Sequence, residues 1–183
     1  MPDINEVEKR MKGAVENFKH NLAGLRTGRA SVALVDNLRV EVYGSMMPLN
    51  QCANISVPEP RTLSISVWDK GNVSAVEKAI QTSNLGLNPQ TEGTVIRLNL
   101  PDLTEERRKE LVKVAHQYAE NARIAIRNVR RDGIEHAKRE EKEDKITEDV
   151  MKGISNRIQD ITDKQIEAVD KMLKDKEAEI LKV

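Results

Sequence analysis

The chain has 183 residues, of which 33% are charged and 2% are aromatic. Its 30 basic residues balance its 30 acidic residues, so the net charge indicates neither a nucleic acid nor a membrane as partner. The few aromatic residues argue against modules that stack unpaired bases on exposed rings. Because Cys52 is the single cysteine, an intramolecular disulfide is excluded, and we expect a partly buried, inert thiol.

The chain carries no targeting pattern that we recognise. Its first residues lack the basic and apolar regions of a secretory signal and are too acidic for an organelle transit peptide. No run approaches the roughly 18 apolar residues that a membrane-spanning helix needs. We therefore expect a cytoplasmic protein with no membrane partner.

The first predicted element is an amphipathic helix. Apolar residues recur at spacings of three and four from Ile4 to Leu25, which is typical of one buried helix face. Gly28 follows, and we expect it to end the helix in the left-handed conformation.

In the middle of the chain, between about residues 30 and 102, the apolar period changes to two. This alternation predicts three half-buried strands, centred near Val40, Ile65 and Leu98. A short helix interrupts them, and its predicted start is a capping box from Ser74 to Glu77.

Two long helices are predicted in the remaining residues. The first begins after an N-cap at Thr104, and the second after Thr147. The charged run at residues 140–145 separates them as a helix end and turn. The apolar stripe of the first includes Tyr118, Ala122, Ala125 and Val129. Within that helix, Gly133 is interpreted as a tolerated flaw that costs about 1 kcal/mol relative to alanine.

These patterns predict an α+β fold with two domains. Residues 1–29 and 103–183 form a long three-helix bundle, and residues 30–102 form a small inserted β/α/β domain. Two short connections join the domains and are expected to act as a hinge. The hinge residues are Gly28, Arg29, Ala30, Ser31, Pro101, Asp102, Leu103 and Thr104.

The sequence contains no recognisable catalytic or cofactor-binding motif. Phosphate-binding glycine loops, nucleophile elbows and zinc-protease motifs are all missing from it. His20, His116 and His136 lack a second ligand at metal spacing and are interpreted as surface residues. We therefore expect neither an enzyme nor a bound metal or cofactor.

The distribution of charge is the strongest functional signal. Residues 107–139 hold ten basic residues against four acidic ones, whereas residues 140–183 hold nine against thirteen. Four arginines, at spacings of four, three and one, are predicted to share one side of the helix, well away from its core stripe. They are Arg123, Arg127, Arg130 and Arg131. A guanidinium matches a phosphate bidentately, so this pattern favours structured RNA read through its backbone over a merely solvated helix face.

Several segments resemble the ribosome-recycling factor family. They are LRTGRAS at residues 25–31, RTLSISVWD at 61–69, LGLNP at 85–89, PDLTEERRKELVK at 101–113, ARIAIRNVRRD at 122–132 and DKEAEI at 175–180. They occur in the family's order and leave no long region of the chain unaccounted for.

The resemblance implies an L-shaped molecule with the same two domains. It implies a factor that acts after termination and, with elongation factor G and its GTP, splits the 70S ribosome so that mRNA and deacylated tRNA are released. The expected contact is large-subunit rRNA at the intersubunit face, made by a monomer. Carried over by position, the resemblance assigns rRNA contacts to Arg127, Arg130, Arg131, Arg108, Lys109, Arg26 and Arg29. The residue pattern adds Arg123.

A second class of function also fits the periodicity. A charged helical bundle is equally typical of a structural or chaperone-like protein that binds protein partners. The arginine cluster and the inserted domain favour the RNA-binding function.

Overall fold

Four α-helices and six β-strands make up the computed structural model, which describes residues 3–83 and 85–182. The helices are α1 (Ile4–Ala23), α2 (Val73–Thr82), α3 (Glu105–Lys142) and α4 (Glu148–Leu181). The strands are β1 (Arg39–Val42), β2 (Ser45–Pro48), β3 (Ala53–Glu59), β4 (Thr62–Val67), β5 (Pro89–Glu92) and β6 (Val95–Asn99). The predicted α+β class, long helices with a small sheet domain, is confirmed.

The described chain divides into two compact units. The first joins α1 up to Leu22 with Val112–Ala178, and the second joins Ala23–Leu111 with the last residues from Glu179. The predicted connections at residues 28–31 and 101–104 both lie within the second unit. The domain boundaries at residues 30 and 102 therefore stay a prediction.

In the first unit, three long helices share an apolar interior. Val7, Met11 and Phe18 of α1 are buried, as are Ile126 of α3 and Ile158 of α4. Several buried positions of α3 are small, and they let the helices approach closely. These are Ala115, Ala119, Ala122, Gly133 and Ala137.

Gly133 is a packing residue and not a flaw in α3. A Cβ there would lie 3.0 Å from Cδ1 of Ile158 and 3.3 Å from Cγ2 of Val7. Gly133 thus lies where α1, α3 and α4 pack closely, and a Cβ there would require Ile158 and Val7 to shift. Helix propensity alone carries no information about the neighbouring helices, so the sequence did not indicate this contact.

We expect Gly133→Ala to lower the free energy of unfolding by about 1 kcal/mol, because overpacking by about 1–3 kcal/mol outweighs the gain in helix propensity. Gly153 is the matched control, since a Cβ there meets nothing within 4 Å. Gly153→Ala should raise the free energy of unfolding by about 0.5–1 kcal/mol. Urea denaturation measures both, and equal stabilisation by the two substitutions would contradict the packing role.

The helix starts agree with the sequence at two of the three predicted caps. Thr104 Oγ1 accepts a hydrogen bond from the Arg107 amide (3.1 Å), and Thr147 Oγ1 accepts one from the Val150 amide (3.2 Å). Each hydroxyl satisfies an amide that has no partner within its helix. The predicted turn between these helices is confirmed, since α3 ends at Lys142 and Asp144 takes a left-handed φ of 56°.

Two predicted helix boundaries are wrong. Helix α1 ends at Ala23, and Gly28 does not have a positive φ, so it is not a left-handed stop. Ser74 lies inside α2, which begins at Val73. A short 3₁₀ turn precedes α2, and the Asp69 carboxylate caps it by accepting a hydrogen bond from the Gly71 amide (2.9 Å). That turn supplies the entry to α2, so the capping box is not formed.

The second unit contains a four-stranded antiparallel sheet in the order β3-β4-β6-β5 and a separate β1-β2 hairpin. The three predicted strands correspond to β1, β4 and β6, whose inward residues are buried. Strand β4 lies in the centre, with Ile65 opposite Ile96 of β6. Val76 and Ile80 of α2 belong to the same apolar core.

Candidate nucleic-acid interface

The capped helix α3 carries the basic residues as one continuous element. Of the four arginines predicted to share a side, Arg127 and Arg131 are exposed. Arg127 Nη1 lies 3.3 Å from Glu120 Oε1, and Arg131 Nη2 donates to Asn128 Oδ1 at 3.3 Å. Exposed pairs of this kind are weak, so both side chains are available to an outside partner.

Arg123 and Arg130 are placed differently from the prediction. Both are half-buried and bond to α4. Arg123 donates to Asp170 Oδ1 through Nε (3.0 Å) and Nη2 (2.7 Å). Arg130 Nε donates to Gln159 Oε1 at 2.6 Å. The four arginines therefore do not all lie well away from the core.

Arg123 and Arg130 differ from the prediction because the buried face of α3 is rotated relative to the predicted one in this part of the helix. The fully buried residues of α3 include Ala119 and Ile126, while Tyr118 and Ala125 are half-buried. The buried stripe therefore agrees with the prediction at Leu111, Ala115, Ala122 and Val129, but it lies one residue further along the helix at Ala119 and Ile126. Arg123 and Arg130 stand three residues before and four residues after Ile126, which puts both on its flank.

Arg123 is held by two carboxylates, since its Nη1 also lies 3.2 Å from Glu120 Oε2. Desolvation by burial is the largest influence and lowers the pKa of Arg123, but hydrogen bonds to Asp170 and Glu120 together raise it above its usual value. Its charge is thus already paired within the protein.

Two further predicted contacts lie at the start of α3. Arg108 donates to two backbone carbonyls, from Nε to Leu103 (3.3 Å) and from Nη1 to Lys182 (2.6 Å). Lys109 is exposed, with its Nζ 3.4 Å from Glu105 Oε1. Arg108 therefore joins the start of α3 to the end of the chain, and Lys109 presents its charge to solvent.

Arg26 and Arg29 differ in burial. Arg29 is exposed, whereas Arg26 is half-buried and donates from Nη2 to the Pro101 carbonyl. Desolvation lowers the pKa of Arg26, and the charges of Arg61 and Arg107 lower it further. Arg26 thus ties the chain beside the first connection to the second.

The turn between β3 and β4 also binds both predicted connections. The Ala30 amide donates to the Pro60 carbonyl at 2.7 Å. Arg61 Nη2 donates to the Leu100 carbonyl (3.1 Å) and lies 2.7 Å from Asp102 Oδ1. Of the remaining predicted hinge residues, Leu103 is buried, Ser31 caps a 3₁₀ turn, and Thr104 caps α3.

Sequence reasoning missed the residues of α4 that bind the arginines. Gln159 and Asp170 lie 29 and 47 positions from their partners, and nothing in the local pattern links them. Glu120 was recognisable, since it precedes Arg123 by three on the same helix. The structure also places Arg61, which was not predicted, against the second connection, where it bonds to Leu100 and Asp102.

The other predicted groups lie outside this surface. His116 and His136 are about half exposed, and each pairs with a glutamate. Cys52 is buried as expected, and desolvation raises the pKa of its thiol, which keeps it protonated and unreactive. Among the described residues, no three His, Cys, Asp or Glu side chains are grouped to hold a metal, and no helix is long and apolar enough to cross a membrane.

Comparison with known proteins gives consistent matches over almost the whole chain. The family model described as ribosome recycling factor matches residues 18–181. The ribosome-recycling factor of Bradyrhizobium diazoefficiens is 58% identical over 99% of this chain and 96% of its own. The ribosome-recycling factor of Chelativorans sp. is 55% identical, over 99% of this chain and 97% of its own.

Solved structures match as well. A solution structure of the ribosome recycling factor superposes with a TM-score of 0.76 at 49% identity, covering 98% of this chain and 96% of its own. A second match is a model of the T. thermophilus ribosome recycling factor, described with E. coli elongation factor G bound to the E. coli post-termination complex. Its TM-score is 0.67 at 48% identity, over 97% of this chain and 96% of its own.

The long helices, the small sheet domain and these relatives together define a translation factor. The chain belongs to the ribosome recycling factor family, and its function is ribosome recycling. Of the two classes of function expected from the sequence, the structural or chaperone-like one is not supported.

Proposed function

We propose that this protein acts with elongation factor G and GTP on the post-termination 70S ribosome, splits it into subunits and so permits release of mRNA and deacylated tRNA. A similar factor is described with elongation factor G on such a complex. We further propose that the protein works as a cytoplasmic monomer without a cofactor.

The observation that carries the site assignment is the exposed basic surface of α3. Arg127 and Arg131 are exposed, and Arg130 is bonded through Nε alone among the described residues. We propose that these three arginines contact phosphates of large-subunit rRNA, because a guanidinium presents paired N–H donors in the geometry that a phosphate accepts. Arg26, Arg29, Arg108 and Lys109 are proposed as additional contacts.

Splitting of 70S ribosomes, followed by light scattering, tests the activity. Post-termination complexes should dissociate when this protein, elongation factor G and GTP are all present, and should stay intact when any one is omitted. Binding to ribosomes without splitting under the complete conditions would contradict the proposed activity.

We also propose that the two connections, residues 28–31 and 101–104, let the predicted small domain move during splitting. Gly28 and Ala30 are small, and a Cβ at Gly28 would meet nothing within 4 Å. These features support rotation about the backbone, while the hydrogen bond from Arg26 to the Pro101 carbonyl limits how far the two connections separate.

We expect energy transfer between dyes on the predicted small domain and on α4 to change when elongation factor G and GTP join the ribosome-bound protein. Exposed positions for the dyes are Lys78→Cys in α2 and Lys164→Cys in α4, with Cys52→Ser. Single-molecule fluorescence measures the distribution. An unchanged distribution during active splitting would show that the factor moves as one body.

A further inference from the structure

Arg130 forms a hydrogen bond with the neutral side chain of Gln159, and Gln159 in turn forms a hydrogen bond with Asp163. Arg130 Nε donates to Gln159 Oε1 at 2.6 Å, and Gln159 Nε2 donates to Asp163 Oδ1 at 2.7 Å. The bonds run from α3 to α4 and then along α4 by one turn. Because the Asp163 carboxylate accepts the amide N–H, the amide oxygen is directed towards Arg130.

Because Arg130 bonds to Gln159 through Nε, the edge of the guanidinium that carries Nη1 and Nη2 can still bind an acceptor outside the protein. A guanidinium has five N–H donors in a fixed, planar fork. With Nε–H bonded to Gln159, the plane is set and the two Nη groups remain as a pair for bidentate contact with phosphate oxygens. Arg123 differs, because Nε, Nη1 and Nη2 all bond to carboxylates within the protein.

The chemistry of the acceptor also matters. Asp170 carries a negative charge and offsets the charge of Arg123, whereas the Gln159 amide is neutral. An amide therefore orients Arg130 and leaves its full positive charge for a phosphate. Asp163 carries the negative charge one turn further from the guanidinium.

We propose that Gln159, supported by Asp163, is a positioning residue of the rRNA-binding surface, which presents Arg130 to a phosphate without neutralising it. This inference rests on the proposed function of Arg130 as an rRNA contact. It adds a residue of the acidic helix α4 to a site that the charge pattern had placed on α3 alone.

A double-mutant cycle on binding to 50S subunits tests the inference. Gln159→Met keeps the length of the side chain and removes the acceptor, so Arg130 must be ordered on binding. We expect binding to weaken about threefold to tenfold, the cost of immobilising one long side chain. In an Arg130→Ala background the same substitution should cause no further loss, since the residue to be positioned is gone.

Two companion variants separate positioning from a general structural role. Gln159→Glu keeps an oxygen acceptor but adds a negative charge beside Arg130, so it should weaken binding. The slope of log K against log salt should become less steep, by at most about the amount that one phosphate contact contributes. Gln117→Met is the matched control, because Gln117 is exposed on α3 and bonds to Asn121 at 3.0 Å. It should leave both the affinity and the salt dependence unchanged.

An equal loss from Gln159→Met in the wild-type and Arg130→Ala backgrounds would overturn the inference, because Gln159 would then act without Arg130. Wild-type affinity in Gln159→Met, while Arg130→Ala binds weakly, would overturn it as well. If Arg130→Ala itself binds normally, the assignment of Arg130 to the rRNA site fails first, and the inference fails with it.

Discussion

Arg130→Ala is expected to bind 50S subunits about tenfold to a hundredfold more weakly than the unsubstituted protein. A hydrogen bond to a charged phosphate contributes about 1.5–3 kcal/mol, and its loss from an otherwise unchanged interface appears in the dissociation constant. The fold should change little. Arg130 lies on the flank of the core stripe and bonds to the polar Gln159, so we expect a loss of stability within about 1 kcal/mol.

Arg157→Ala on α4 is the control for Arg130→Ala, since it removes an exposed arginine from the acidic helix. It should leave binding near that of the unsubstituted protein. Equilibrium binding to 50S subunits and thermal unfolding are measured for both variants. An Arg130→Ala protein that unfolds much earlier and yet binds normally once folded would show that Arg130 is a structural residue.

Binding to 50S subunits is expected to weaken steeply with salt although the protein has no net charge. Each phosphate contact releases condensed counterions, and the three arginine contacts of α3 alone imply a slope of about −2 to −3 in log K against log salt. Between 50 and 200 mM salt the affinity should then fall by at least roughly fifteenfold to sixtyfold. A flat dependence would exclude phosphate contacts as the main source of binding, because apolar contacts do not weaken in this way.

Much of the fold follows from local pattern. Alternation at Leu63, Ile65 and Val67 predicted β4, because a strand with one buried face must repeat every two residues. Strands β3 and β5 escaped prediction because they are edge strands with largely exposed side chains. Pro58 within β3 also weakens its strand signal.

The candidate site was predicted less completely than the fold. The arginines themselves are evident from composition and spacing, but the partners of Arg123 and Arg130 lie on another helix. The predicted stripe included Ala125, whereas Ile126 is the buried residue, and this difference alone made Arg123 and Arg130 look solvent-facing when they lie beside the core. Periodicity cannot distinguish the two, since Ala125 and Ile126 are adjacent and both continue the spacing of three and four from Ala122 to Val129.

The most direct test of the central claim compares two triple variants that lose the same charge. One is Arg127→Ala, Arg130→Ala and Arg131→Ala on α3; the other is Lys164→Ala, Lys171→Ala and Lys174→Ala, all exposed on α4. Binding to 50S subunits is measured across a salt series, with unfolding measured in parallel. We predict that the α3 variant loses more than about a hundredfold in affinity and about two to three in salt slope, while the α4 variant keeps both. Equal losses in the two folded variants would contradict the account, because ribosome binding would then depend on total charge and not on the arginines of α3.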